Sequence, residues 1–152
     1  MEDLDTEDKS NIVNAINEVI EKQPIIYEDT EDPESGIKLK NHNNTAGQKS
    51  LVVGENNRAT KFSIVAGQNN NSQGDHSIVT GKNNTSKKPY SQVSGESNNN
   101  DGSYNNVFGK GNTVEGDNNI VNGTTNNVES NGSLVIGDTN SITADNAAAL
   151  GD

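Results

Sequence analysis

Few side chains in this sequence have the chemistry to act on a substrate or hold an ion, and their spacing argues against most such roles. The two histidines, His42 and His76, sit in polar, asparagine-rich stretches with no acid or base at a fixed spacing beside them. General acid–base catalysis is therefore not expected. Asp75, Asp101, Asp117, Asp138 and Asp145 read as sharing no common register, which argues against a calcium ladder of the nonapeptide β-roll kind. Glycine-rich turns are frequent but lack the strand-to-helix context of a phosphate loop. With no cysteine in the chain, thiolate and disulfide chemistry are absent. The sequons Asn43-Asn44-Thr45 and Asn83-Asn84-Thr85 are what chance gives in so asparagine-rich a chain. Lys87, Lys88 and Tyr90, around Pro89, form the strongest local contact patch, although a solvated loop is the safer reading there. No catalytic residue, metal or cofactor is expected, and the chain is read as a non-enzyme.

What positions these residues is a repeat. Glycine recurs at 54, 67, 81, 95, 109, 123, 137 and 151, in steps of 13 and then 14. Two residues before each of the first seven glycines stands a valine: Val52, Val65, Val79, Val93, Val107, Val121 and Val135. Four before stands Ser50, Ser63, Ser77, Ser91, Asn105, Asn119 or Ser133, and three after stands Asn57, Asn70, Asn84, Asn98, Asn112, Asn126 or Asn140. A weaker earlier turn begins at Ile37 and Leu39, with Asn41 and Asn44 in the glycine and asparagine places. Residues around each glycine alternate as a strand requires, with Ser, Val and Gly on one face and pairs such as Leu51/Val53, Ile64/Ala66 and Leu134/Ile136 on the other. Both faces are small or apolar, which predicts burial on both sides. Five residues after glycine, Ala59, Ser72, Val114, Val128 and Ile142 mark a second, shorter strand.

One strand, a turn, a second strand and another turn every 14 residues describes one coil of a parallel β-solenoid. Stacking copies at about 4.8 Å gives a rod roughly 35–40 Å long. Asparagine tolerates left-handed turn backbone and bonds to nearby backbone, so the Asn57-to-Asn140 series is expected to form a turn ladder. Gln92, Ser94 and Asn106 interrupt the apolar column and predict looser or polar packing in the middle coils.

Composition divides the chain near Gly36. Residues 1–35 carry 12 Asp/Glu against 2 Lys, while residues 36–152 carry 10 against 9 Lys/Arg. The acidic front disfavours nucleic acid as a partner. No run approaches the roughly 18 apolar residues of a membrane span, and the start of the chain lacks the basic and apolar regions of a signal peptide. Within the acidic segment, Ile12, Val13, Ile16, Val19 and Ile20 form an apolar stripe at helical spacing, which predicts a helix over about 6–22, stopped by Pro24 and followed by an extended linker. A lone helix of that length is marginal in water, so the stripe needs something to pack on.

Ser133-Leu-Val-Ile-Gly137 and Ser50-Leu-Val-Val-Gly54, with their period and polar return, resemble the head repeats of YadA-type trimeric autotransporter adhesins. The likeness covers roughly residues 37–152. It implies a left-handed parallel β-roll, three of which associate around a threefold axis. It further implies that Leu51, Val53 and their equivalents fill each roll, while Val52, Val65, Val79, Val93, Val107, Val121 and Val135 face the neighbouring chains as the trimer interface. Such adhesins also have an export signal, a coiled-coil stalk and a C-terminal anchor, none of which is read in this sequence. The N-terminal LDTEDKSNIVNAINEV instead resembles a short segment near the start of bacteriophage fibre and virion proteins, through Leu4, Thr6, Lys9, Ile12, Val13, Ala15, Ile16, Asn17, Glu18 and Val19.

Together these readings predict a mainly β, homotrimeric virion structural protein, a head fibre or capsid decoration. Residues 1–35 are its expected anchor to a capsid or other virion protein, with Leu4, Ile12, Val13, Ile16, Val19 and Ile20 as anchoring and trimer-initiating positions. The β-roll domain, residues 36–152, would project outward and contact host-surface glycan or protein, without nucleic acid binding or membrane insertion. The expected location is the capsid surface. The alternative is the head of a bacterial cell-surface adhesin or a tail-fibre segment. An ice-binding solenoid is disfavoured because Thr80, Thr85, Thr113, Thr124 and Thr139 are irregularly placed.

Overall fold

Each five-residue phrase pairs in parallel with its copy one coil later, because identical side chains at a fixed period fit one another best in register. A computed structural model describes residues 26–28, 37–39 and 43–151 of the chain. The long sheet has ten strands; seven are five residues long, at Leu51–Glu55, Ile64–Gln68, Ile78–Lys82, Gln92–Glu96, Asn106–Lys110, Ile120–Thr124 and Leu134–Asp138. Register is strict: Val52 lies opposite Val65, Val65 opposite Val79, and Gly109 opposite both Gly95 and Gly123. Ala148–Leu150 closes the series at one edge. At the other, Ile37–Leu39 pairs in parallel with the first five-residue strand and antiparallel with Ile26–Glu28. A six-stranded sheet of two-residue strands, from Asn71–Ser72 to Ser141–Ile142, forms the opposite wall. The parallel solenoid and its short return strand are thus as the period predicts. The expected helix over 6–22 and its apolar stripe lie outside the described residues.

Which face points inward differs from the expectation. Val52, Val65, Val79, Val93, Val107, Val121 and Val135 are 0% exposed within the single chain. They form the core together with Ala59, Val114 and Val128 from the short strands. A side chain with no exposed surface in one chain has none to offer a neighbour, so these valines are not the trimer interface. Leu51 and Val53, expected inside, are each 40% exposed. The physical reason is volume. Each coil's cross-section is small, holding one Ser or Asn, one valine, one ladder asparagine and one residue from the short strand, and the long strand fills its place with valine throughout. The interruption at Gln92, Ser94 and Asn106 therefore lies on the outer surface, and the core beneath it is an unbroken valine column.

Two polar ladders hold the corners of this narrow interior. Asn98 is typical: its Oδ1 accepts from the backbone N–H of Asn112 at 3.0 Å and from the Asn112 amide at 3.0 Å, while its own Nδ2 donates to the Gly109 carbonyl at 2.8 Å. The same bonds run through Asn57, Asn70, Asn84, Asn112, Asn126 and Asn140, and Asn44 begins the series by accepting from Asn57 N–H. In the second ladder, Ser50, Ser63, Ser77 and Ser91 accept the next coil's N–H at 3.1–3.4 Å. Asn105 and Asn119 reach further and accept at 2.7 and 2.8 Å. Most buried polar groups are thereby satisfied by side chains of the neighbouring coil, which lets a chain that is only 28% hydrophobic bury them.

Candidate functional site

With the interior closed, any function falls to the outside, where two features stand out. The first is the outer face of the long sheet. Leu51, Val53, Ile64, Ile78, Ile120, Leu134, Ile136 and Leu150 are 36–71% exposed there, in two columns that follow strand register. In the middle coils the same columns become mostly polar, with Gln92, Ser94, Asn106 and Asn122 interrupted by the partly buried Phe108, and Thr80 Oγ1 and Ser94 Oγ hydrogen-bond across coils at 2.7 Å. Large apolar side chains aligned along one face of a monomer mark an interaction surface.

The second feature lies at a turn. Lys49, Phe62, His76, Tyr90, Tyr104, Asn118 and Asn146 all have left-handed backbone, with φ between 53° and 62°, and Gly132 shares their corner. Four of these side chains form a stack. Ring centroids are 4.8 Å apart for Phe62–His76, 5.1 Å for His76–Tyr90 and 5.0 Å for Tyr90–Tyr104, with interplanar angles of 10–18°. The Lys49 ammonium lies 5.8 Å from the Phe62 centroid, a cation–π contact at the foot of the stack. Phe62, Tyr90 and Tyr104 are each roughly half exposed, so the ring faces cover one another and the edges meet solvent.

An aromatic ladder at this corner carries a backbone cost. Left-handed backbone costs an ordinary residue about 1–2 kcal/mol, and glycine or asparagine escapes most of that. Each aromatic pair returns only about 0.5–1.5 kcal/mol beyond its buried area. Four rings give three pairs, so stacking and the burial of ring faces together meet a backbone cost that glycine or asparagine would largely avoid. Asn118, Gly132 and Asn146 make the same turn more cheaply a few coils on.

Charge is unevenly distributed along the rod. Residues 49–90 carry six Lys/Arg against two Asp/Glu, a net of +4 in a chain of −11 overall. Residues 91–152 carry one Lys against eight Asp/Glu, a net of −7. Lys87, expected in a contact patch with Lys88 and Tyr90, is bound to Asp101 at 2.9 Å, and Tyr90 belongs to the stack.

The five aspartates share no single register, as expected, since Asp101 lies opposite Lys87 and Asp138 opposite Thr124. Three of them, Asp75, Asp117 and Asp145, occupy equivalent places in their coils. Their Oδ1 atoms accept backbone N–H groups of the preceding coil: Lys61 at 3.1 Å, Ser103 at 2.7 Å and Asn131 at 2.7 Å. Asn131 occupies the same place and accepts from Asp117 N–H at 2.9 Å. These side chains cap turns, and among the described residues no group of three His, Cys, Asp or Glu is placed to hold a metal ion.

Of the expected site residues, the valine column is core, the asparagine series is the inner ladder, and the anchoring positions Leu4, Ile12, Val13, Ile16, Val19 and Ile20 lie outside the described residues. The aromatic ladder went unpredicted although its signal was present, since Phe62, His76, Tyr90 and Tyr104 recur at the coil period. No family model, curated protein or solved structure matches this chain.

Proposed function

We propose that this chain is a non-enzymatic structural protein: a trimeric fibre that decorates a bacteriophage capsid, anchored through residues 1–35 and displaying the solenoid outward. The observation that carries the reading is the exposed apolar face of the long sheet. Its columns repeat at the rung spacing, so identical chains packed side by side at one level meet like with like. Three chains around an axis cover all three faces at once and leave no apolar face open. The interface then consists of Leu51, Val53, Ile64, Ile78, Ile120, Leu134, Ile136 and Leu150, not the valines. Polar ladders, the absence of an acid–base or metal constellation among the described residues, and a regular surface all suit display better than catalysis.

The test is biochemical fractionation. Antibody to the chain should detect it in purified virions, and a chain lacking residues 1–35 should no longer decorate them. Recovery from a bacterial outer-membrane fraction instead would favour the cell-surface adhesin reading, and full decoration by the truncated chain would overturn the anchoring role.

A further inference from the structure

We propose that the aromatic ladder Phe62–His76–Tyr90–Tyr104, with the lysines around it, is a binding site for a linear, acidic glycan lying along the rod. The inference rests on reading the solenoid as a displayed surface and adds to it a site and a ligand class.

Several observations converge on this corner. The rings form a straight, exposed line that crosses four coils at 4.8–5.1 Å per step. An extended pyranose chain advances by close to one such step per sugar, so successive units meet equivalent surroundings. In chain order the ladder is flanked by Lys61, Asp75, Pro89 and Ser103 on one side. Beyond the buried serine or asparagine that follows each ring come Ile64, Ile78, Gln92 and Asn106. Lys61 and Lys88 are exposed, and no carboxylate among the described residues pairs with either. The basic half of the rod is the half that holds most of the ladder.

The ligand class follows from how the rings present themselves. Single-stranded nucleic acid is held by bases stacking on open aromatic faces. Here the three stacked pairs cover six of the eight ring faces and Lys49 lies over Phe62, so only the outer face of Tyr104 is left as a platform for a base. What remains besides it are ring edges, two phenolic hydroxyls, an imidazole edge and ammonium groups. Such a surface suits the alternating C–H and hydroxyl edges of sugars carrying carboxylate or sulfate. Each contact is weak, and three ladders on one trimer would add avidity.

The experiment titrates the full-length chain with two probes, an oligogalacturonate long enough to span four rungs and a heparin oligosaccharide of similar length, by calorimetry at low and moderate salt. Three variants accompany it: Tyr90→Asn/Tyr104→Asn, Lys61→Gln/Lys88→Gln, and the control Lys110→Gln, whose lysine pairs with Glu96 at 3.1 Å in another column. Asparagine keeps the turn because Asn118 already makes it at the same corner. Binding of at least one probe is expected, weakened tenfold or more by each ladder variant and by added salt, and unchanged in the control. Failure to bind either probe would overturn the proposal, as would binding that the Tyr→Asn variant leaves within twofold, or tighter binding of a single-stranded oligonucleotide. Light scattering on the same samples separates this from the fibre reading. A trimer that binds no glycan refutes the site alone, whereas a monomer that binds it keeps the site and refutes the trimer.

Discussion

At the scale of single residues, stability is concentrated where coils approach most closely. Gly95 has φ of +121°, and a Cβ placed there would lie 1.9 Å from the Gly109 carbonyl oxygen of the next coil. Gly95→Ala therefore meets both a backbone clash and a disfavoured backbone conformation. A loss of about 3 kcal/mol or more is expected, read as a fall in the urea midpoint. Asn98→Ala acts differently, because it removes no bulk clash but strips partners from its neighbours. The N–H and side-chain amide of Asn112 lose their acceptor, and the Ser94 and Gly109 carbonyls lose a donor. Since the site is buried, a loss of about 2–4 kcal/mol is expected by the same measurement. A loss below 1 kcal/mol would mean that water enters the ladder and replaces the amide.

At the scale of elements, the strands assign their own inside and outside, and a paired substitution reads the assignment directly. Val93 is fully buried, whereas Gln92 beside it is partly exposed on the outer face. Val93→Ala should lower unfolding free energy by about 2 kcal/mol. Gln92→Ala should change it by less than about 0.5 kcal/mol, as surface substitutions usually do. Equal effects would contradict the inward placement of valine. The same elements show what was legible beforehand. The coil length, the parallel pairing, the short return strand and the inner asparagine series all follow from spacing, because a repeat states its register openly. The direction of each face did not, since valine on one side and leucine or isoleucine on the other are equally apolar. Only the small cross-section of the coil separates them. The aspartate caps and the aromatic ladder were hidden for another reason. They lie in turn residues that look like polar filler, and the first coil there is one residue short, with no counterpart to Gln73. In that short coil the Thr60 hydroxyl is buried without a partner among the described residues.

At the scale of the whole molecule, the rod joins a uniform core to an uneven surface. The valine column and two polar ladders repeat with little change, so each coil is supported chiefly by its immediate neighbours. The outer face is apolar toward both ends of the repeat and mostly polar between, with Phe108 as the exception. The charge runs from basic in the early coils to acidic in the later ones. An apolar face left bare in water would favour indiscriminate association, and closure by identical copies limits it. Ile64 and Ile136 lie on opposite sides of the polar middle, and both are exposed in the single chain. Replacing them together with lysine should leave the fold intact, because neither contributes to the core, while preventing copies from packing. The most direct measurement is therefore the solution mass of the full-length chain and of the Ile64→Lys/Ile136→Lys variant by light scattering. The account predicts about three times the 16.1 kDa protomer for the native sequence and a single protomer for the variant. A native chain that is already monomeric, or a variant that stays trimeric, would contradict the claim that this face joins the chains.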